Sequence, residues 1–396
     1  MADTKNNKNS NSPALRFPGF TDEWNSLSID EIFEIRNGYT PSKANPQYWN
    51  NGTIPWFRME DIRENGGILK DAIQHITQDA VKKTGTFAPY SIILATTATI
   101  GVHAMLIADS LANQRFTNFS VRKSLSHMYN PYFGYYSFFK IDKWSKQNTN
   151  SGGLLSVDIP GLKRLSFSMP SLEEQTRIAD FLQLIDERIA TQRRLIEDLE
   201  KLKSAIIDRC YRGNNNIRLG KFISQVSHRN RSNHTYRVMS VSNVRGFVLQ
   251  SEQFADREIA SENTTSYKIV TRDIFAYNPA RINIGSIARF KEHDKGIVSP
   301  MYVCFKIEGE LHPQYLEYFF QTQRFKNDVE LRLEGSVRLC LNFDALCEIK
   351  IPMLALAEQT AISSTLETLD NKIDLEQKVL SNMNKQRKYL LSKLFI

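Results

Sequence analysis

Side chains able to read a DNA base edge gather at several places in this 396-residue chain. Arginine or lysine can donate to the O6 and N7 of guanine, and asparagine or glutamine can engage adenine, so cations beside amides are the pattern that base reading needs. The first half carries Lys43 in "RNGYTPSK", Arg58 and Arg63 in "WFRMEDIR", the pair Lys82-Lys83, and Asn113, Gln114 and Arg115 in "NQRF". The second half carries Arg229, Arg231 and Arg237 in "SHRNRSNHTYR", then Asn243 and Arg245, Arg281 in "NPARINIG", and Lys291. Lys43, Lys82, Lys83 and Lys291 are expected to meet phosphates, which would make affinity fall with salt. Arg58, Arg115, Arg229, Arg231, Arg281 and the nearby amides are expected to meet bases. Each residue alone is as well explained as a solvated surface group. Together, in a chain of net charge +8, they favour a polyanionic partner, double-stranded DNA first.

Catalytic constellations are not expected. No GxxxxGK[ST] loop is present, and no GxGxxG follows a strand. "NPYF" at Asn130 and "NPAR" at Asn278 resemble the Asn-Pro-Pro-aromatic box of DNA amino-methyltransferases, but both lack the second proline. Asp344 with "EIK" at 348–350 faintly resembles the carboxylate–lysine set of metal-dependent nucleases, yet the matching first-half positions are Ser166 and Ser168. The seven histidines are scattered, and Cys210, Cys304, Cys340 and Cys347 form no C-x-x-C pair. No metal site is expected, and the cysteines read as buried free thiols of a cytoplasmic protein. No apolar run is long enough for a membrane span. The polar start "MADTKNNKNSNSPA" reads as a flexible tail without a signal core.

The elements that must position these residues follow from a long internal repeat. "EEQTRIADFLQLIDERI" returns as "AEQTAISSTLETLDNKI", with Glu174-Gln175-Thr176 matching Glu358-Gln359-Thr360 at a separation of 184 positions. In the first copy Ile178, Leu182, Ile185, Ile189, Ile196, Leu199, Ile206 and Cys210 are apolar. In the second, Ile362, Leu366, Leu369, Ile373, Leu380, Met383, Leu390 and Leu394 are apolar at the same offset. Their steps of four and three make a heptad seam. Gln192 aligns with Glu376, and Lys203 with Arg387. The seam predicts two long helices that pack on each other.

Fainter likenesses precede each helix. "LSFSMP" and "IKIPM" both read as strands stopped at proline, "QRFTNFSV" is similar to "PMYVCFKI", "TIGV" to "NIGS", and "NPYF" to "HPQY". A short aromatic helix is expected over "PQYLEYFFQTQRF". The expected plan is a flexible tail at 1–14, a first mixed globule at 15–170, a long helix at 171–211, a hinge at 212–216, a second globule at 217–352 and a second long helix at 353–396. The fold class is therefore α+β, with two similar heads separated by an antiparallel coiled coil and related by a pseudo two-fold axis. Two such heads suit a partner that is itself nearly two-fold, such as duplex DNA.

With these residues in view, the chain resembles the specificity subunit of bacterial type I restriction-modification enzymes over about 15–396. "GYTPS" followed by "YWNNGTIPWFRMEDI" is similar to the opening of that family's target recognition domain, and "NQRF" to its central strand. "MPSLEEQTRI" and "IPMLALAEQTAI" resemble its signature of proline, Glu-Gln and isoleucine at the start of each conserved helix. The second head departs, with "VSHRNRS" in place of G-x-T-P-S. The resemblance implies a non-catalytic DNA-reading subunit, each head reading one half of a split target across a spacer set by the helices. It implies docking of two methyltransferase subunits and two ATP-driven restriction (motor-nuclease) subunits. S-adenosylmethionine, ATP and magnesium would belong to those partners and not to this chain. Two other readings compete: a DNA methyltransferase or nuclease with a diverged site, and a coiled-coil scaffold that binds only protein.

Overall fold

Continuous helix forms over both proline- and glycine-free stretches, Leu172–Cys210 with 39 residues and Leu356–Lys393 with 38. The computed structural model describes residues 11–150, 155–213, 215–253, 263–292, 294–335 and 339–396. The chain divides into two compact units. One holds residues 1–191 and 379–396, the other 192–378. The division cuts across the expected domain boundaries, because each long helix gives its first half to one unit and its second half to the other.

The first unit is built on a five-stranded sheet in the order Phe33–Asn37, Phe116–Val121, Ile92–Ala95, His103–Leu106, Ile68–Leu69. Its pairs are antiparallel except the last, which is parallel. A smaller sheet joins His75–Ile76, Ile54–Phe57 and Leu111–Ala112. The helix Pro131–Gln147 covers the large sheet, and its rings interlock with strand rings edge to face. Phe33 meets Phe119, Tyr129, Phe138 and Phe167 at centroid distances of 5.6 to 6.1 Å, a geometry that aromatic quadrupoles favour.

The second unit repeats the plan. One sheet orders Ile223–Val226, Val303–Ile307, Phe275–Tyr277 and Ile287–Arg289; the other orders Gly246–Leu249, Arg237–Ser242, Gly296–Val298 and Lys268–Val270. The faint likenesses hold in place. "QRFTNFSV" and "PMYVCFKI" each hold the second strand of their sheet, Asn130 and His312 precede equivalent helices, and Gly101 and Gly285 share left-handed backbone at φ +80° and +92°. Each unit closes with a ribbon, Asn25–Ser28 on Ser166–Met169 and Asn216–Arg218 on Lys350–Pro352. The aromatic stretch expected as one helix is two, Pro313–Phe319 and Gln323–Glu330, because the Thr322 hydroxyl accepts from Phe325 N at 3.0 Å and starts a new cap.

Two expectations about order are corrected. The hinge is tied down on its described flank: Asn216 lies in the closing ribbon, and Met353 N donates to Asn215 O at 2.7 Å. Residues 1–10 of the expected tail lie outside the described residues. Asn11 is held instead, its carbonyl accepting from Trp24 N at 2.9 Å and its amide donating to Ser26. All four cysteines are free; Cys304 is buried, and the other three are half-buried rather than buried.

Along the helices, Ile178, Leu182, Ile189, Ile196, Leu366, Ile373 and Leu394 are buried. Ile185, Leu199, Ile206, Ile362, Leu369, Leu380, Met383 and Leu390 are half-buried. Two further matched pairs are buried that a heptad does not single out, Ala179 with Ser363 and Ile207 with Leu391. A seam two residues wide suffices between two helices, but a helix that also covers a globular core needs a wider stripe.

Polar pairs fix the register. In the second unit Gln192 donates to the Glu376 carboxylate, and Lys203 meets Asp370 at 2.6 Å; the first number rises as the second falls, so the helices run antiparallel there. In the first unit Arg387 clasps Asp186, while Ile178 and Leu182 share a core with Leu391 and Leu394. Asp186 and Asp370 are equivalent in the repeat, and each also accepts from a head tyrosine, Tyr136 at 3.0 Å and Tyr318 at 2.9 Å. Burial pushes both phenols well above the usual tyrosine range, and the carboxylate adds to it. The tyrosines therefore stay neutral donors.

The repeated Glu-Gln has two distinct jobs. Gln175 accepts from Asn130 N and donates to Met128 O and Pro170 O, all at 2.9 Å. Gln359 accepts from His312 N at 2.8 Å and donates to Glu310 O and Leu354 O. Both glutamines are buried, and each staples its helix start to its own head. The glutamates diverge. Ser171 caps the first helix, accepting from Glu174 N at 3.3 Å, but Glu174 does not reach back; it binds Arg16 through two contacts of 2.7 Å. Glu358 does reach back, to Ala355 N at 3.1 Å. Each copy keeps half of a capping box.

Candidate nucleic-acid interface

In the first head three chain segments converge on a cleft of about 280 Å³: Thr40 and Lys43, then Trp56 to Glu60, then Asn113 to Arg115. Backbone contacts hold them together. Gly38 N donates to Phe116 O and Tyr39 N to Ala112 O, while Asn113 N donates to Phe57 O at 3.0 Å. The approach at Gly38 is so close that a Cβ there would sit 2.3 Å from Asn113 O, so only glycine fits. Trp56 Nε1 donates to Tyr39 O, and Trp49 Nε1 to Ser42 O, each at 3.0 Å.

Asp61 is the buried support beneath this floor. Its carboxylate accepts from Arg58 N at 2.6 Å and from Ile73 N at 2.7 Å, which fixes the turn that presents Arg58 and Glu60. Two amide side chains have their oxygens engaged: Gln114 Oε1 accepts from the Thr40 hydroxyl, and Asn113 Oδ1 from Arg115 N at 3.0 Å. Their NH2 groups remain for a ligand. The Arg115 guanidinium and Lys43 ammonium are exposed and take no ion-pair partner among the described residues. Arg58 Nε is buried without a hydrogen-bond acceptor and lies 3.9 Å from the exposed Glu60 carboxylate.

Five candidate residues thus meet in one place: Lys43, Arg58, Asn113, Gln114 and Arg115. Arg63, Lys82 and Lys83 are exposed but do not line the cleft. Lys82 lies over the Tyr39 ring at 4.2 Å, a cation–π contact that ties it to the same loop. Thr40 and Glu60 line the cleft and were not singled out by charge or amide chemistry; Glu60 is legible only through its place beside Arg58.

The second head distributes its candidates differently. Arg237 pairs with Glu292, Arg245 lies 3.9 Å from Glu252, and Lys291 meets Glu317 at 2.9 Å. Asn243, Arg245 and Lys291 line a cavity of about 920 Å³ with Lys203 and Asp370. Arg229, Arg231 and Arg281 are exposed, outside that cavity, and have no ion-pair partner among the described residues. Buried Asn230 organises the loop of the first two, donating to His234 O at 2.8 Å and to the Thr264 hydroxyl at 3.0 Å.

The residues that hinted at catalysis are otherwise engaged. Asn130 caps the helix Pro131–Gln147 through Tyr132 N and Phe133 N, and Asn278 Oδ1 accepts from Ala280 N. Glu348 meets Arg218 at 3.2 Å. A His103–Asp142 couple at 2.8 Å lies beneath the first head's helix. Burial raises the Asp142 carboxyl above its usual range, and the imidazole pulls it back. The second His103 nitrogen faces Tyr135 O at 3.0 Å, so neither nitrogen is available to a substrate. Among the described residues no cluster of three or more His, Cys, Asp or Glu could hold a metal ion, and no helix is long and apolar enough to cross a membrane.

The model of the type I restriction modification DNA specificity domain matches this chain twice, at residues 21–201 and 230–385. The chain is 43% identical over 148 residues to the EcoprrI specificity subunit of Escherichia coli, covering 37% of this chain and 36% of that one. It is 31% identical over 186 residues to the MjaIX specificity subunit of Methanocaldococcus jannaschii, covering 46% and 42%. These matches therefore span less than half of either relative. Its fold is similar to that of the type I S subunit of M. genitalium, with a TM-score of 0.55 at 17% identity over 97% of this chain and 99% of the other. The S subunit of Thermoanaerobacter tengcongensis gives 0.51 at 14% identity, with 98% and 99% covered. With two copies of the specificity domain spanning most of its length, the chain belongs to the type I restriction-modification specificity family.

Proposed function

We propose that this chain is the DNA-reading, non-catalytic subunit of a type I restriction-modification complex. The carrying observation is the first-head cleft, where five residues able to contact DNA meet, with the Lys43 and Arg115 cations and the amide NH2 groups of Asn113 and Gln114 unspent on protein partners among the described residues. Each head reads one half of a bipartite target, and the lengths of the two long helices set the unread spacer. Two methyltransferase subunits and two restriction subunits assemble with it in the cytoplasm; S-adenosylmethionine, ATP and magnesium bind to them. The relatives' names as specificity subunits support this reading.

Titration of the purified chain with duplex DNA at rising salt tests it. Binding should weaken steeply, with a log–log slope of about −0.9 for each phosphate contact. Affinity that ignores salt would remove DNA as the partner. Labelled S-adenosylmethionine retained by the isolated chain would favour the enzyme reading instead.

A further inference from the structure

The first-head cleft presents a definite hydrogen-bonding pattern. Arg115 offers a bare guanidinium, and Asn113 and Gln114 have their oxygens engaged, so their free groups are donors. The one carboxylate lining the cleft is that of Glu60, more than half exposed and held only by a long 3.9 Å contact to Arg58 Nε, so it keeps acceptor capacity for a ligand. Adenine asks a side chain for an acceptor and a donor together, as an unengaged amide gives. Guanine asks for two donors, and its partner cytosine asks for an acceptor.

Resting on the DNA-binding reading above, we propose that this cleft reads one G·C base pair in the major groove. Arg115 donates to O6 and N7 of the guanine, and the Glu60 carboxylate accepts from the N4 amino group of the paired cytosine. Asp61 and Gly38 are positioning residues: the first fixes the turn that carries Glu60, the second allows the close approach to the Ala112 and Asn113 backbone that leads into Arg115, and Glu60 and Arg115 both line the one cleft. Arg58 also lines the cleft, its Nε buried 3.9 Å from the Glu60 carboxylate.

A carboxylate at a DNA-facing surface makes the test sharp. Acids repel phosphates, so a Glu60 without a reading role can only weaken binding. The full chain is incubated with a pool of randomised duplexes, bound DNA is sequenced, and affinities for the selected duplex and a random one are titrated. Arg115→Ala should cost about 10- to 100-fold on the selected duplex and erase the preference at one G·C position. Glu60→Ala should erase preference at that same position while raising affinity for the random duplex. Glu60→Gln should admit adenine in place of the cytosine, since an amide suits adenine. Arg115→Lys and Glu60→Gln, close in size, keep the test valid if the alanine variants melt early. If both residues change affinity equally on all sequences with base preference intact, the cleft is a phosphate site and the proposal falls while DNA binding stands. If the unaltered chain shows no salt-dependent binding to any duplex, the DNA-binding reading falls first and takes this one with it.

Discussion

The two heads share a plan and differ in how they treat their cations. In the first, Arg115 and Lys43 are left bare at a cleft whose walls are fixed by buried groups. In the second, Arg237 and Lys291 are matched with Glu292 and Glu317, and of the candidate arginines Arg229, Arg231 and Arg281 have no ion-pair partner among the described residues; each head also keeps one arginine 3.9 Å from a glutamate, Arg58 by Glu60 and Arg245 by Glu252. A count of Lys and Arg treats the heads as alike. The structure separates cations that face a partner from cations already balanced within the fold.

The largest effect should fall where the heads are most alike. Gln175→Ala and Gln359→Ala each orphan a buried N–H and two carbonyls, and each should cost about 3 kcal/mol, read by chemical denaturation. A cost confined to one variant would break the equivalence of the two junctions. Next, Arg115→Glu should lower DNA affinity by about 10- to 100-fold, whereas Arg237→Glu, which loses a partly neutralised charge, should change it less than about fivefold by the same reasoning on exposed pairs. Reversed magnitudes would mean that the working surface of the molecule lies in the second head. The helix starts should differ more modestly. Ser171→Ala should cost about 1 kcal/mol through its cap, and Ala355→Ser should gain a few tenths to about 1 kcal/mol by completing the second box; melting curves decide. The subtlest change is in spacing. Four residues inserted near Leu195 and near Val379 lengthen each helix by about 6 Å and should lengthen the methylated target's spacer by roughly one to two base pairs. An unchanged spacer would sink the idea that helix length sets it.

The repeat made the architecture legible, because matched periodicity in two long stretches leaves few alternatives to paired helices. Base-reading chemistry, cations beside amides, puts Lys43, Arg58 and Asn113-Gln114-Arg115 among the candidates, although they are far apart in sequence. What stayed hidden depends on tertiary partners. Glu174 looks like a capping residue until Arg16, 158 residues earlier, claims it. Arg237 looks free until the strand order brings Glu292 to it. Ile207 and Leu391 fall outside the heptad, yet are buried because a head as well as a helix lies against them.

Phe395, the penultimate residue, packs on Phe133 with ring centroids 5.4 Å apart, in the core of the first unit. Its repeat counterpart, Tyr211, stacks on Tyr315 at 4.6 Å in the second. Anyone grafting the back half of one such chain onto the front half of another at the 212–216 junction would therefore transplant, unseen, part of the front half's interior. A cleaner crossover keeps residues 379–396 with the front half that they help to fill.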